Sequence, residues 1–182
     1  MAERRHVSKH ALFGLALLSE RSGRPLVIIG ASKIDGLLSD ILKAFLLPKR
    51  AKSKEDDELL EGDRPLATFS AKIKVCYRLA LIDDTLCQAL EKLRSMRNLS
   101  AHAVAFDLSK SPLREHFSDF RKNMMTRKSF DLTKQRYFQS ATLNGIEELQ
   151  CLLLTVCVLL EMVREKTVAT AGSSETLWIA SR

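Results

Sequence analysis

Apolar residues recur at helical spacing along most of the chain, and this pattern predicts an all-α protein. A short apolar-rich helix is predicted over residues 8–20. A second helix is predicted with Pro25 in its first turn and an end near Leu47. Gly30 and Gly36 interrupt the apolar pattern of this second helix, and we expect them to mark close helix packing. No segment shows the strict alternation that would predict a strand.

The middle of the chain carries two further helical patterns. A third helix is predicted after Asp63, which is the expected N-cap, with Pro65 near its start. Asp83 or Asp84 is expected to cap the fourth helix. That helix leads into the sequence LRSMRNLSAHAVAF at residues 93–106.

The second half of the chain predicts two more helices. One covers residues 109–124, with Ser111 as its cap and Pro112 in its first turn. A long final helix is predicted from about Leu132 to Glu165 and is apolar on nearly every side in its second half. Because a helix of that kind is normally central, we expect it in the core, and its length makes it a candidate seam between subunits.

The length of 182 residues predicts a single domain, which we place at residues 1–168. Residues 49–63 are polar, with a charge that changes from basic to acidic, and are predicted to form an exposed loop with one helical turn. Residues 169–182 lose the helical pattern and are predicted to form a flexible tail, in which Trp178 and Ile179 are able to dock.

Composition and charge narrow the class of partner. The chain is 46% hydrophobic and 28% charged, which is typical of a soluble globular protein. Its formal net charge is +7, and residues 110–136 hold eight lysines and arginines against three acidic residues. This charge makes an acidic partner plausible, although a solvated helix face is the simpler interpretation. The candidate nucleic-acid-binding residues are Arg94, Arg121, Lys122, Arg127 and Lys128.

The cysteines and the longest apolar run bear on cofactors and location. Cys76, Cys87, Cys151 and Cys157 lie within apolar helical patterns and lack the spacing of a metal site, so no metal and no other cofactor is expected. Free thiols are typical of a reducing cytoplasm, the compartment we expect. The run at residues 151–160 would span about 15 Å, half of a bilayer core, so no membrane segment is expected.

The sequence RNLSAH carries the strongest candidate chemistry. On a helical wheel, Leu86, Leu90 and Leu93 form an apolar stripe, and Arg97 falls within it at about 20°. His102 falls across the helix at about 160°. An arginine in the middle of an apolar stripe requires an explanation.

One explanation is catalysis on RNA. His102 would accept the proton of a ribose 2′-OH, and Arg97 would stabilise charge on the phosphoryl oxygens. Asn98, four residues before His102, would orient the imidazole or bind RNA, and no metal would be needed. The structural alternative is that Arg97 pairs with Asp83 or Asp84 and that both cationic residues favour a helix end.

Residues 62–102, GDRPLATFSAKIKVCYRLALIDDTLCQALEKLRSMRNLSAH, resemble the core segment of the mannitol operon repressor family. That family resembles the HEPN superfamily of all-α, usually dimeric proteins. The HEPN motif is an arginine, commonly followed directly by a polar residue, and a histidine after four to six intervening residues. Arg97, Asn98 and His102 match this motif. The resemblance implies a HEPN-like up-and-down helical bundle that dimerises, with these three residues in a cleft between two subunits.

The resemblance implies two functions, and a third stays open. The first is a metal-independent endoribonuclease, toxin-like or RNA-processing, that acts as a homodimer on RNA and, as a toxin, has an antitoxin partner. The alternative is a non-catalytic transcriptional regulator that works as a dimer through a protein partner, since no helix-turn-helix is recognisable. The third is a structural or adaptor dimer joined through the apolar face of residues 146–163.

Overall fold

A computed structural model describes residues 9–46, 57, 59–102, 105–138 and 142–173, and the regular structure in these ranges is helical throughout. The helices are α1 (Lys9–Ser19), α2 (Gly23–Phe45), α3 (Phe69–Arg78), α4 (Asp84–His102), α5 (Leu113–Met125), α6 (Lys128–Tyr137) and α7 (Gly145–Ser173). The prediction of an all-α helical bundle is confirmed.

The last helix lies at the centre of the bundle, as its apolar sequence predicts. α7 contacts α1, α2, α5 and α6, and its most extensive contact is with α2. Residues 149–157 of α7 are buried without interruption. They pack against Leu26, Ile34 and Ile41 of α2 in one continuous core. A second pair, α4 with α5, packs beside them, and α4 also contacts α2 and α3.

The two glycines of α2 differ in their surroundings. A Cβ atom on Gly30 would lie 2.8 Å from the methyl groups of Leu153, so α2 and α7 approach closely there, as predicted. A Cβ atom on Gly36 would have no neighbour within 4 Å. The prediction of close packing at Gly36 is therefore wrong.

The caps of α3 and α4 are set by side chains that accept backbone hydrogen bonds. Asp83 Oδ1 accepts the N–H of Leu86 at 2.8 Å, so the predicted cap of α4 is confirmed. α3 begins later than predicted, because Thr68 Oγ1 accepts the N–H of Ala71 at 3.1 Å. Asp63 is not the cap of this helix, since the residues that follow it form turns before α3 begins.

The start of α5 also differs from the prediction. Ser111 does not cap it, because its hydroxyl donates a hydrogen bond to Glu115 Oε1 at 2.7 Å. Pro112 occupies the N-cap position, one residue before the first turn.

The long helix predicted from Leu132 to Glu165 is two helices. α6 ends at Tyr137 and α7 begins at Gly145. Asn144 marks the new start, because its Oδ1 accepts the N–H groups of Ile146 and Glu147, both at 3.0 Å. Glu147 Oε2 in turn accepts the N–H of Asn144 at 3.0 Å, which completes a reciprocal capping box.

The predicted loop and tail are described only in part. In the loop, residues 57 and 59–63 are described, and Leu60 is buried rather than exposed. α7 continues to Ser173, so the first five residues of the predicted tail are helical, and residues 174–182 lie outside the described part. Within the described part, no helix is long and apolar enough to cross a membrane.

Candidate functional site

The predicted motif lies at the C-terminal end of α4, which is helical without interruption as far as His102. The buried face of this helix continues from Leu93 through Met96 to Ser100. Arg97 and Asn98 are exposed beside it. The prediction that Arg97 lies in the middle of a buried face is therefore wrong for the single chain, because the buried face follows residues 93, 96 and 100 instead.

Arg97 contacts its neighbour and not a carboxylate. Its Nη1 donates to Asn98 Oδ1 at 3.3 Å. The predicted alternative, an ion pair with Asp83 or Asp84, is not formed. Asp83 accepts a hydrogen bond from Arg127 Nη2 at 2.5 Å, and Asp84 accepts one from Gln88 Nε2 at 2.6 Å. Both aspartates lie at the other end of α4, about 20 Å away at 1.5 Å per residue.

His102 is exposed at the last position of α4. Five residues separate it from Arg97, so the two side chains leave the helix in directions about 140° apart. Asn98 lies only about 40° from His102 and shares its side of the helix. A single chain therefore does not bring the guanidinium and the imidazole together, and their convergence across two subunits stays a prediction.

A cleft of about 370 Å³ opens between α2, α3 and α4, and Arg97 and Asn98 line it while His102 does not. The other polar lining residues are Ser32, Asp35, Thr68, Ser70 and Arg94. Asp35 is neutralised by Lys72, whose Nζ lies 3.0 Å from Oδ1 and whose residue is only 5% exposed. Arg94 Nε lies 2.7 Å from Glu91 Oε2. We name this space the polar cleft.

Three of the five candidate nucleic-acid-binding side chains are engaged in ion pairs. Besides Arg94, Arg121 Nε lies 2.8 Å from Glu148 Oε1, and Arg127 pairs with Asp83. Burial alone would raise the pKa of Asp83, but hydrogen bonds from Arg127 and from a backbone N–H, together with the charge of Arg127, bring this pKa below its ordinary value.

Lys122 and Lys128 are the remaining two candidates, and both are exposed. Arg121 and Arg127 pair with Glu148 and Asp83, which lie outside residues 110–136, so the excess of five positive charges in this segment falls to three. These pairs reduce the charge available to a nucleic-acid backbone and do not remove it.

A second, apolar space of about 620 Å³ lies between α1, α6 and α7. Its apolar lining includes Phe13, Leu15, Leu18, Tyr137, Val158 and Met162. Leu15 is 62% exposed and Met162 is 48% exposed. We name it the apolar groove. The sequence indicated an apolar face at residues 146–163, but most of that face is core, and Val158 and Met162 are its exposed members.

The wall of the apolar groove is fixed by one buried side chain. Gln150 of α7 is 1% exposed, and its Nε2 donates to the carbonyl groups of Leu17, Leu18 and Glu20 at 3.0, 3.1 and 2.8 Å. These carbonyls belong to the C-terminal turn of α1 and the residue after it. Carbonyl groups at a helix end have no N–H donor inside the helix. Gln150 therefore ties α1 to α7. Its position among apolar residues gave no sign of this role in the sequence.

The three buried thiols offer no reactive nucleophile. Burial raises the pKa of Cys76 and of Cys157 to about 12, and that of Cys151 to about 11. Buried thiols of this kind stay protonated at neutral pH and are chemically inert. Among the described residues, no group of three or more histidine, cysteine, aspartate or glutamate side chains is placed to hold a metal ion.

The all-α fold of the chain is shared with two solved structures. The chain is similar to the crystal structure of a possible transcriptional regulator, YggD, from Shigella flexneri 2a str. 2457T, with a TM-score of 0.58, 10% identity, and coverage of 91% of this chain and 98% of that one. It is also similar to a chain of the MtlR–HPr complex from Escherichia coli, with a TM-score of 0.54, 18% identity, and coverage of 84% and 99%. No protein-family profile and no curated protein matches the sequence.

Proposed function

We propose that the protein is a non-catalytic regulator of transcription that acts by binding another protein. The MtlR-like fold extends over nearly the full length of a possible transcriptional regulator and of a chain found with HPr. The observation that carries the proposal is the apolar groove, which exposes Leu15, Val158 and Met162 on one face. An exposed apolar patch of this kind is typical of a protein–protein contact.

The proposed partner is a small protein of the HPr kind, by analogy with the partner in the MtlR–HPr complex. The apolar groove has an apolar floor, and Lys33, Glu161 and Glu165 form its charged edge. Glu161 is paired with Lys33 and with Arg164, so this edge carries charges of both signs. Apolar side chains at the centre of an interface supply most of its binding energy, and charges at the rim set orientation and association rate. We therefore expect the partner to present apolar side chains at the centre of its contact surface.

The binding experiment uses the full chain and purified HPr from the same organism in isothermal titration calorimetry. We expect saturable binding that Met162→Glu weakens by about tenfold or more, because the substitution places a charge in the centre of the contact. The matched control is Leu132→Glu, since Leu132 is 65% exposed on α6 and does not line the groove. Absence of binding, or equal losses in the two variants, would overturn the proposal.

Metal-independent ribonuclease activity is the second candidate function. The exposed Arg97 and Asn98, joined by a hydrogen bond, favour it, because both side chains are accessible to a phosphodiester. Since His102 leaves α4 in a different direction, this function needs a second copy of the chain to supply one member of the pair.

The two functions are separated by incubating single-stranded RNA and a chelator with wild-type protein and with His102→Ala. A non-catalytic regulator gives no cleavage above background with either protein. Cleavage by the wild type that His102→Ala abolishes would replace the regulator proposal with the nuclease. A single-stranded DNA of the same sequence serves as the control substrate, because it has no 2′-OH to attack.

A further inference from the structure

The polar cleft has no role in the protein contact proposed above, and its lining carries positive charge that nothing in the described part of the chain neutralises. Arg97 lines it and contacts no carboxylate among the described residues. Arg94 lines it from the preceding turn of α4 and is ion-paired with Glu91 through its Nε, so it adds hydrogen-bond donors but no net charge. Two guanidinium groups on one wall of a concave space are suited to binding an anion.

The one acidic side chain of the cleft does not cancel this charge. Asp35 is held by Lys72, whose Nζ lies 3.0 Å from Oδ1 and 3.1 Å from Oδ2. Because Lys72 is buried, its charge is committed to Asp35 and the pair is neutral as a unit. The charge of Arg97 is therefore left over, and the cleft is positive.

The opposite wall supplies further donors. Thr68, Phe69 and Ser70 line the cleft at the start of α3, a helix of ten residues. The Thr68 hydroxyl accepts the N–H of Ala71, whereas the N–H groups of the first helical positions have no acceptor inside the helix. The positive end of the α3 dipole adds to the charge of Arg97 across the cleft.

We propose that the polar cleft binds a small organic phosphate. Hydrogen-bond donors come from two walls of the cleft: a planar guanidinium group on α4, and hydroxyl and amide groups on α3. A tetrahedral phosphate has oxygens that can reach both walls, whereas a carboxylate has only two oxygens in one plane. The volume of about 370 Å³ is in the range of small-molecule sites and leaves room for an organic part beside the phosphate. Ser32 and Asn98 are the polar groups available to that part.

This ligand site is separate from the apolar groove, so it would give the regulator an input from a metabolite. The groove lies between α1, α6 and α7, and the cleft lies between α2, α3 and α4. Binding of HPr in phosphate-free buffer tests the groove alone. Binding of phosphate without HPr tests the cleft alone, and each proposal can therefore fail without the other.

The probe is inorganic phosphate, titrated at constant ionic strength against the full chain, with thermal melting and calorimetry as readouts. We expect saturable binding that raises the melting temperature, with a much weaker effect of acetate. Arg97→Gln should weaken phosphate binding by about tenfold or more, since it removes a charged hydrogen-bond donor. Arg114→Gln is the matched control, because Arg114 is an exposed arginine on α5 outside the cleft.

Two results would overturn the proposal. One is equal stabilisation by phosphate, acetate and chloride, which would show general ionic screening. The other is tighter binding of a ten-nucleotide RNA than of phosphate with the same dependence on Arg97, which would assign the cleft to a nucleic-acid backbone. Arg97 is exposed, so Arg97→Gln is expected to fold, and circular dichroism at the start of each titration checks this.

Discussion

At the scale of single residues, the environment of a side chain decides what a familiar residue type does. Asp83 is both the N-cap of α4 and the partner of Arg127. Gly30 is in contact with Leu153, whereas Gly36 faces open space in the same helix. Matched substitutions can compare the two glycines of α2, and they can separate the two roles of Asp83.

The first residue-scale prediction concerns the two glycines. Gly36→Ala should stabilise the protein by about 0.5–1 kcal/mol, because alanine lowers the entropy cost of an exposed helical position. Gly30→Ala gains the same entropic stabilisation, but its methyl group forces Leu153 to move within a filled core, at a cost of about 1–3 kcal/mol. Urea unfolding should therefore give opposite signs for the two variants. A gain in stability from Gly30→Ala would show that Leu153 can move freely.

The second residue-scale prediction concerns Asp83. Asp83→Asn keeps a side-chain oxygen for the cap and loses the ion pair, so at pH 7 it should cost less than about 1 kcal/mol, since Asp83 is largely exposed. Asp83→Ala loses both and should cost about 1 kcal/mol more.

The pH dependence follows from the lowered pKa of Asp83. A carboxyl whose pKa is lower in the folded state stabilises the fold above its unfolded pKa of about 3.9, and this stabilisation is lost as the pH falls through the folded value. The difference between wild type and Asp83→Asn should therefore be constant near neutrality and shrink below about pH 4. Urea unfolding at a series of pH values measures it, and a difference that persists in acid would contradict the ion pair.

At the scale of helices, the contacts at the helix ends decide where α7 begins and how α1 is held. The capping box of Asn144 and Glu147 begins α7, and it divides a segment that the sequence pattern predicts to be one helix. The opposite case is α1, whose end is held from outside by Gln150. The apolar groove depends on this second contact, because α1 forms one of its walls.

The element-scale prediction is that Gln150→Leu loosens α1 without unfolding the bundle. The substitution leaves three carbonyl groups near the end of α1 without their donor, at a cost of about 1–3 kcal/mol. We expect faster amide hydrogen exchange in α1 and weaker binding of HPr. Gln135→Leu is the control, because Gln135 is exposed on α6. Unchanged exchange in α1 would show that apolar packing alone holds this helix.

At the scale of the whole molecule, α2 separates two surfaces with different chemistry. Lys33 lines the apolar groove, whereas Ser32 and Asp35 line the polar cleft. We propose a protein partner for one surface and a small anion for the other, and a shift of α2 against α7 would change both surfaces. Dimerisation through a HEPN-like seam stays a prediction, which sedimentation velocity at micromolar concentration tests.

The sequence by itself determined the fold class, the central position of α7 and the cap of α4. These features depend on local periodicity and on hydrogen bonds between residues two to four positions apart. The break between α6 and α7 was equally local, since Asn144 and Glu147 are three residues apart, but the strongly apolar sequence that follows it obscured this signal. The resemblance of residues 62–102 to the mannitol operon repressor family agrees with the MtlR-like fold.

Only the tertiary structure decided the sites. A helical wheel places Arg97 on an apolar stripe, but which part of that stripe is covered depends on where α2, α3 and α5 lie against α4. The same holds for the arginines whose carboxylate partners are distant in sequence, and for Gln150, which meets carbonyl groups more than a hundred residues away. Such contacts arise when separate helices pack, and no local spacing encodes which side chains then meet.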